Sequence, residues 1–208
     1  MAFLIQGSTT ATPGVTTNTW VGLNSLRDSP WNSTEQNSKS YFLGSAVVKN
    51  LTVKLATAPG AGESRVFTVY KNGSSTGLTV TISDANTSAS IATVAVSIAS
   101  GDYITLNHTS SATPAAPGRT DFAVLCETVD NYYMITAGKN DALLTDGTRE
   151  YACPWGSKEN AAAWGSTLND TKEWYFSHSA TITDFFVSLA TGNPGGAGKS
   201  YTFTIYKN

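Results

Sequence analysis

Residues 192–200, GNPGGAGKS, end on the Gly-Lys-Ser that closes a phosphate-binding loop. Such a loop needs a glycine, four residues and then Gly-Lys-Ser/Thr, leading from a strand into a helix whose N-terminus faces the phosphates. Five residues before Gly198 stands Asn193, so the first glycine is out of register. The continuation, SYTFTIYKN, alternates polar with β-branched and aromatic residues and predicts a strand. A related stretch earlier in the chain, APGAGES, carries Glu63 where Lys199 stands. A loop that exchanges its lysine for a carboxylate does not hold phosphate. Both are glycine-rich connections between strands, with the glycines supplying positive φ.

Other groups that do chemistry are few. The histidines are His108 and His178. His108 ends a predicted strand in LNHTSS, but neighbouring serines are not a triad. His178 stands where the related earlier stretch has Gly44, so no fixed chemistry is expected of it. Asp141 and Asp146 flank the loop KNDALLTDG without the spacing of a calcium loop. A glycan-cleaving enzyme needs two carboxylates about 5–9.5 Å apart in one cleft, and Asp170 with Glu173 is the only nearby pair worth testing. The expectation is a protein with no catalytic residues, no metal and no cofactor.

Aromatic residues form the one notable constellation. Trp155, Trp164 and Trp174 gather in CPWGSKENAAAWGSTLNDTKEWYF, with Tyr151 and Tyr175 at its ends, and Trp31 lies in the corresponding connection RDSPWNSTEQNSKS. Tryptophans beside Asn and Asp can stack on sugar rings while the polar groups bind hydroxyls. The same residues also pack long loops onto a sheet or fill a subunit interface, where Trp and Tyr are enriched. Trp31, Tyr151, Trp155, Trp164 and Trp174 are therefore the candidate glycan or interface contacts.

Composition narrows the class of protein that carries them. Charged residues make up 13% of the 208, with a formal net charge of -2. No basic stripe exists to neutralise phosphates, so a nucleic-acid partner is not expected. No run approaches about 18 apolar residues, and no membrane span is expected. The start, MAFLIQGSTT, has neither a basic n-region nor a long apolar core and does not read as a signal peptide. Cys126 and Cys153 fall on different predicted strands, and one pair is no disulfide framework; both are expected reduced.

The elements that would position these residues are short strands. They are predicted at 3–6, 19–23, 47–56, 65–71, 78–83, 91–98, 103–108 and 121–128, separated by Gly, Asn, Asp and Pro clusters that reverse the chain. In LTVTIS, Leu78, Val80 and Ile82 share one face and the hydroxyl residues the other, as in an antiparallel sheet wet on one side. Eight such strands predict an all-β, antiparallel two-sheet sandwich of jelly-roll type. The only helical signal is SKENAAAWGS, two turns at most.

The chain also repeats. Residues 41–72, YFLGSAVVKNLTVKLATAPGAGESRVFTVYKN, align with 175–208, YFSHSATITDFFVSLATGNPGGAGKSYTFTIYKN, with a two-residue insertion in the loop. The repeat places a complete module at 1–130 and a second, related, incomplete module at 131–208, with counterparts of the first four strands only. Either the sequence is the first part of a longer tandem array, or a neighbouring subunit supplies the missing sheet. Half a sandwich leaves an apolar face and strand edges bare, which invites association.

The stretch LATAPGAGESRVFTVYKNGSSTGLTVTISDANTS, followed by VSIASGDYITLNHTSSATPAA, resembles a β-sandwich module of tailed-bacteriophage structural proteins. In those modules a Pro-Gly-x-Gly-Lys-Ser hairpin leads into Tyr-Thr-Phe-Thr and an Asn-Gly turn. The resemblance covers most of 41–130 and returns at 175–208, and it brings no catalytic residues. It implies a virion surface component, such as a capsid decoration protein, head fibre or tail fibre, assembled in the host cytoplasm and usually a homotrimer. Its partners would be other copies and virion proteins such as the major capsid protein or a fibre or tail component. The alternative is a receptor- or glycan-binding module that meets a host surface glycan through its aromatic loops.

Overall fold

The computed structural model describes residues 2–23, 31–128, 181–182, 185, 187 and 200–205. Nine strands follow in chain order: β1 (Ala2–Thr9), β2 (Thr19–Val21), β3 (Ser40–Tyr41), β4 (Ala46–Leu55), β5 (Gly60–Lys71), β6 (Ser74–Asp84), β7 (Ser88–Ile98), β8 (Tyr103–Ser110) and β9 (Thr120–Thr128). All eight strands predicted for the first module are present, whereas the strand predicted from SYTFTIYKN is not formed at its described residues 200–205. The two-residue β3 and a 3-10 turn at Glu35–Ser38 were not expected from the sequence.

The strands form two antiparallel sheets, ordered β1-β9-β4-β7 and β2-β8-β5-β6, with β3 pairing β8 beside the second. Setting β3 aside, the pairs β1–β9, β2–β8, β4–β7 and β5–β6 match the first strand to the last and so inward. That is one long double ribbon rolled up, with the β4–β9 and β5–β8 pairings closing the roll. The architecture is the jelly-roll sandwich that the alternating runs predict.

The tip of the ribbon is the Asn72-Gly73 turn between the paired residues Lys71 and Ser74. Both tip residues are left-handed, at φ 50 and φ 81, the twist a two-residue hairpin requires. Asp102 fastens this tip to the β7–β8 turn. It takes an ion pair from Lys71 Nζ at 2.8 Å and hydrogen bonds from Asn72 Nδ2 at 2.6 Å and Ala99 N at 2.7 Å. Those donors hold its carboxyl down at about 2, the Lys71 contact first.

The core lies between the sheets, where Leu51, Val53, Phe67, Val69, Leu78, Leu106 and Val124 are fully buried. β4 reaches it only by breaking its own alternation. Val48 and Leu51 both face inward because a bulge against β9 falls between Lys49 and Thr52, with Asn50 at φ 58. Cys126 is unpaired and buried, and burial pushes its thiol up to about 11, with Glu127 adding to the effect. It is inert as a nucleophile.

Most of the second module lies outside the described residues. In the repeat register Ile182, Phe185, Val187, Tyr201 and Ile205 take the places of Val48, Leu51, Val53, Arg65 and Val69. The first-module residues are buried, whereas these five are 38–55% exposed. Residues of core type therefore stand uncovered among the described residues of the repeat.

Candidate functional site

Strand alternation places a row of side chains across the inner face of the second sheet. Thr19 of β2 opposes His108 of β8, and His108 opposes Phe67 of β5. Arg65 lies two residues before Phe67, on the same face, opposite Ser110. Both Arg65 and His108 are completely buried. Arg65 Nη1 lies 3.0 Å from His108 Nε2, and Arg65 Nη2 donates to the Ala115 carbonyl at 3.0 Å. A guanidinium has only donors, so His108 Nε2 is the acceptor and the imidazole proton sits on Nδ1, 3.4 Å from Thr19 Oγ1.

Trp31 covers this pair. Asn32 exchanges two 2.8 Å backbone hydrogen bonds with Trp20, extending the sheet past β2. Trp20 belongs to the outer face, paired with Asn107, so the next residue along, Trp31, falls on the inner one. Its ring centroid is 5.4 Å from that of His108 and 6.0 Å from that of Phe67. Of the five candidate aromatic contacts, Trp31 is thus turned into the sandwich and packs on the core. Tyr151, Trp155, Trp164 and Trp174 lie outside the described residues.

Burial, together with the charge of Arg65, drives the His108 pKa down to about 3, and the ring is neutral at physiological pH. Burial also lowers the Arg65 pKa, although a guanidinium remains charged. No carboxylate pairs with Arg65 among the described residues, and its Nε lacks a partner there, as does Trp31 Nε1. A cation sealed in this way is held by acceptors and costs desolvation energy. It is a packing centre, closed to any substrate. Among the described residues no three His, Cys, Asp or Glu side chains gather as a metal cluster.

This arrangement carries an asymmetric prediction. His108→Leu leaves the Arg65 Nη1 proton facing hydrocarbon and is expected to cost about 3 kcal/mol. The double variant Arg65→Met/His108→Leu removes both partners and is expected to lie within about 1.5 kcal/mol of the parent. Urea unfolding of both variants checks this. A double variant as unstable as the single one would show that the pair contributes more than mutual satisfaction.

Glu63, the residue that separates this loop from a phosphate loop, has a job of its own. It accepts hydrogen bonds from the Ser111 hydroxyl, from Thr113 Oγ1 at 2.7 Å and from Thr113 N at 3.2 Å. These donors lower its pKa and clip the β5 bulge, where Gly60 and Gly62 have φ 105 and φ 76, onto the β8–β9 loop. Over β8 the outer face of the same sheet is covered too, whereas Thr81 of β6 stays exposed. Thr105 Oγ1, buried beneath the 31–41 connection, donates to Glu35 Oε1 at 2.8 Å, and Asn107 is buried with its Nδ2 turned to Asn18 Oδ1 and the Thr19 carbonyl, each at 3.4 Å. Nothing in the sequence of that connection announced that it would fold back over the sheet.

With the inner face sealed and the outer face covered over β8, what the described residues offer to other molecules is the outer face of the β1-β9-β4-β7 sheet, the outer side of β6, where Thr81 is exposed, and the strand edges. Leu4 is 62% exposed on that sheet. A shallow concavity of about 420 Å³ crosses it, between Gln6, Ser8, Thr52, Lys54, Asp121 and Ala123. No protein-family model matches the chain, and no curated protein matches it.

Proposed function

We propose that this chain is a non-enzymatic structural protein of a virus particle, of the capsid-decoration or fibre type, acting through homo-oligomeric assembly on the particle surface. What supports the reading is the order of hairpin turns, from APGAGES through the Asn72-Gly73 tip to DANTS, that resembles bacteriophage β-sandwich modules. The physical character of the molecule agrees with a mechanical role. The buried Arg65–His108 pair does packing work, and what the described residues offer outward is sheet face and strand edge. Strand edges and apolar faces are what oligomers bury against symmetry mates. The glycan-binding alternative draws nothing from Trp31, whose ring lies against His108.

The test is compositional. Virus particles banded from a culture carrying the gene, digested and read by mass spectrometry, are expected to contain peptides of this chain in many copies per particle. Clean particles without them would remove the reading.

A further inference from the structure

The tip of the ribbon holds the only Asn-Gly pair of the chain, Asn72-Gly73, and both residues are exposed. Such a pair carries a reaction within its own backbone. The Gly73 nitrogen attacks Cγ of Asn72. The new N–Cγ bond closes a five-membered imide, the Cγ–Nδ2 bond breaks, and Nδ2 leaves as ammonia with the proton given up by the glycine nitrogen. Water then opens the imide, giving aspartate when the Cγ–N bond is cut and isoaspartate when the backbone C–N bond is cut. Glycine favours closure because it sets no Cβ beside the attacking nitrogen.

Closure requires the Asn72 carboxamide to turn back along its own chain until Cγ meets the Gly73 nitrogen. In the folded protein both ends of that carboxamide are held instead by the β7–β8 turn. Nδ2 donates to Asp102 Oδ1 at 2.6 Å, and Oδ1 accepts from Tyr103 N at 3.0 Å. The backbone is pinned at the same place, with Asn72 N donating to the Tyr103 carbonyl at 3.1 Å. Asp102 is itself fixed through its other oxygen, by Lys71 Nζ at 2.8 Å and Ala99 N at 2.7 Å. A water-exposed residue is thus tied by three hydrogen bonds to two residues thirty positions away.

We propose that Asn72 is a guarded deamidation site: Asp102 and Tyr103 keep its carboxamide from the Gly73 nitrogen while the tip is fastened, and local opening of the tip commits it to aspartate or isoaspartate. The consequence is one-way. A carboxylate at position 72 replaces the donor that faced Asp102 Oδ1 with an acceptor of like charge, so the converted tip does not refasten as before. Conversion therefore records how often this end of the ribbon has opened.

The test follows conversion at Asn72 in the full-length chain at neutral pH, by mass spectrometry of the peptide that carries it. The urea-unfolded chain, which has no fastened tip, sets the unguarded rate. The folded parent is expected to convert far more slowly, and folded Asp102→Ala about tenfold faster than the parent, the scale of one hydrogen bond to a charged acceptor. Lys71→Ala leaves the carboxamide bonds in place and is expected to stay within about twofold of the parent. Circular dichroism establishes that the variants are folded. Should Asp102→Ala not fold, Asp102→Asn keeps the shape of the side chain without its charge and is expected to show a smaller acceleration. A parent that converts as fast folded as unfolded overturns the guard. An Asp102 variant that converts no faster than the parent also overturns it, and a slower one would make the carboxylate a promoter of the reaction. The consequence has its own readout. Asn72→Asp is expected to shift urea unfolding about tenfold toward the unfolded chain, and adding Asp102→Asn, which returns a donor to the pair, to recover most of that shift. No recovery would overturn the claim that like charge keeps the converted tip open.

Discussion

Acidification from pH 6.5 to pH 4 is expected to cost the folded protein about 3 kcal/mol through His108 alone. The unfolded chain binds a proton on this histidine near pH 6.5, whereas in the folded chain the site does not accept one until about pH 3. Between those values the unfolded state holds more protons, so stability falls as pH falls. The cause is structural. Nε2 is occupied by a donor from Arg65, Trp31 and Phe67 exclude water, and a second positive charge would sit beside the guanidinium. The carboxylates act in a different window. Asp102, held at about 2, and Glu63, also lowered, stabilise above the ordinary carboxylate range and lose that contribution only as pH falls below about 4. His108→Gln keeps an acceptor for Arg65 and removes the titration. Urea unfolding between pH 7 and pH 4 is expected to show a steep loss for the parent and a nearly flat line for this variant. Parallel profiles would mean that His108 becomes protonated in the folded state at ordinary pH.

Phe67→Ala is expected to remove about 3–5 kcal/mol, which is much of the 5–15 kcal/mol that holds a typical domain. Phe67 is fully buried at the centre of the row Thr19–His108–Phe67–Val80, and its ring touches both Trp31 and His108. Truncation leaves a cavity bounded by a rigid ladder on either side, so collapse recovers little. Leu4→Ala, at a residue 62% exposed, is expected to stay within about 0.5 kcal/mol. Thermal unfolding of the two variants separates these outcomes, and a Phe67→Ala protein as stable as Leu4→Ala would mean the sandwich core is elsewhere.

The strands were legible because this sheet is wet on one side for much of its surface. LTVTIS sorts Leu78, Val80 and Ile82 inward by period alone, and the Asn72-Gly73 pair marks a hairpin by its left-handed backbone. β8 hid its pairing face, because Thr105 and Asn107 are buried on one side while Ile104, Leu106 and His108 are buried on the other. With both faces buried, alternation carries no direction. β4 carried a partial signal in Val48-x-x-Leu51, a spacing that only a bulge reconciles with one inner face.

By itself the sequence determined the fold class, the eight principal strands of the first module and the internal repeat, because hydrophobic period, turn chemistry and residue spacing are local. Tertiary structure alone decided that Arg65 and His108, 43 residues apart, share one buried hydrogen bond, that Trp31 turns inward over them, and that Glu63 clips a distant loop. These depend on which strand lies beside which, and in a rolled ribbon that is set by pairings between the two ends of the module, which no short stretch of sequence contains.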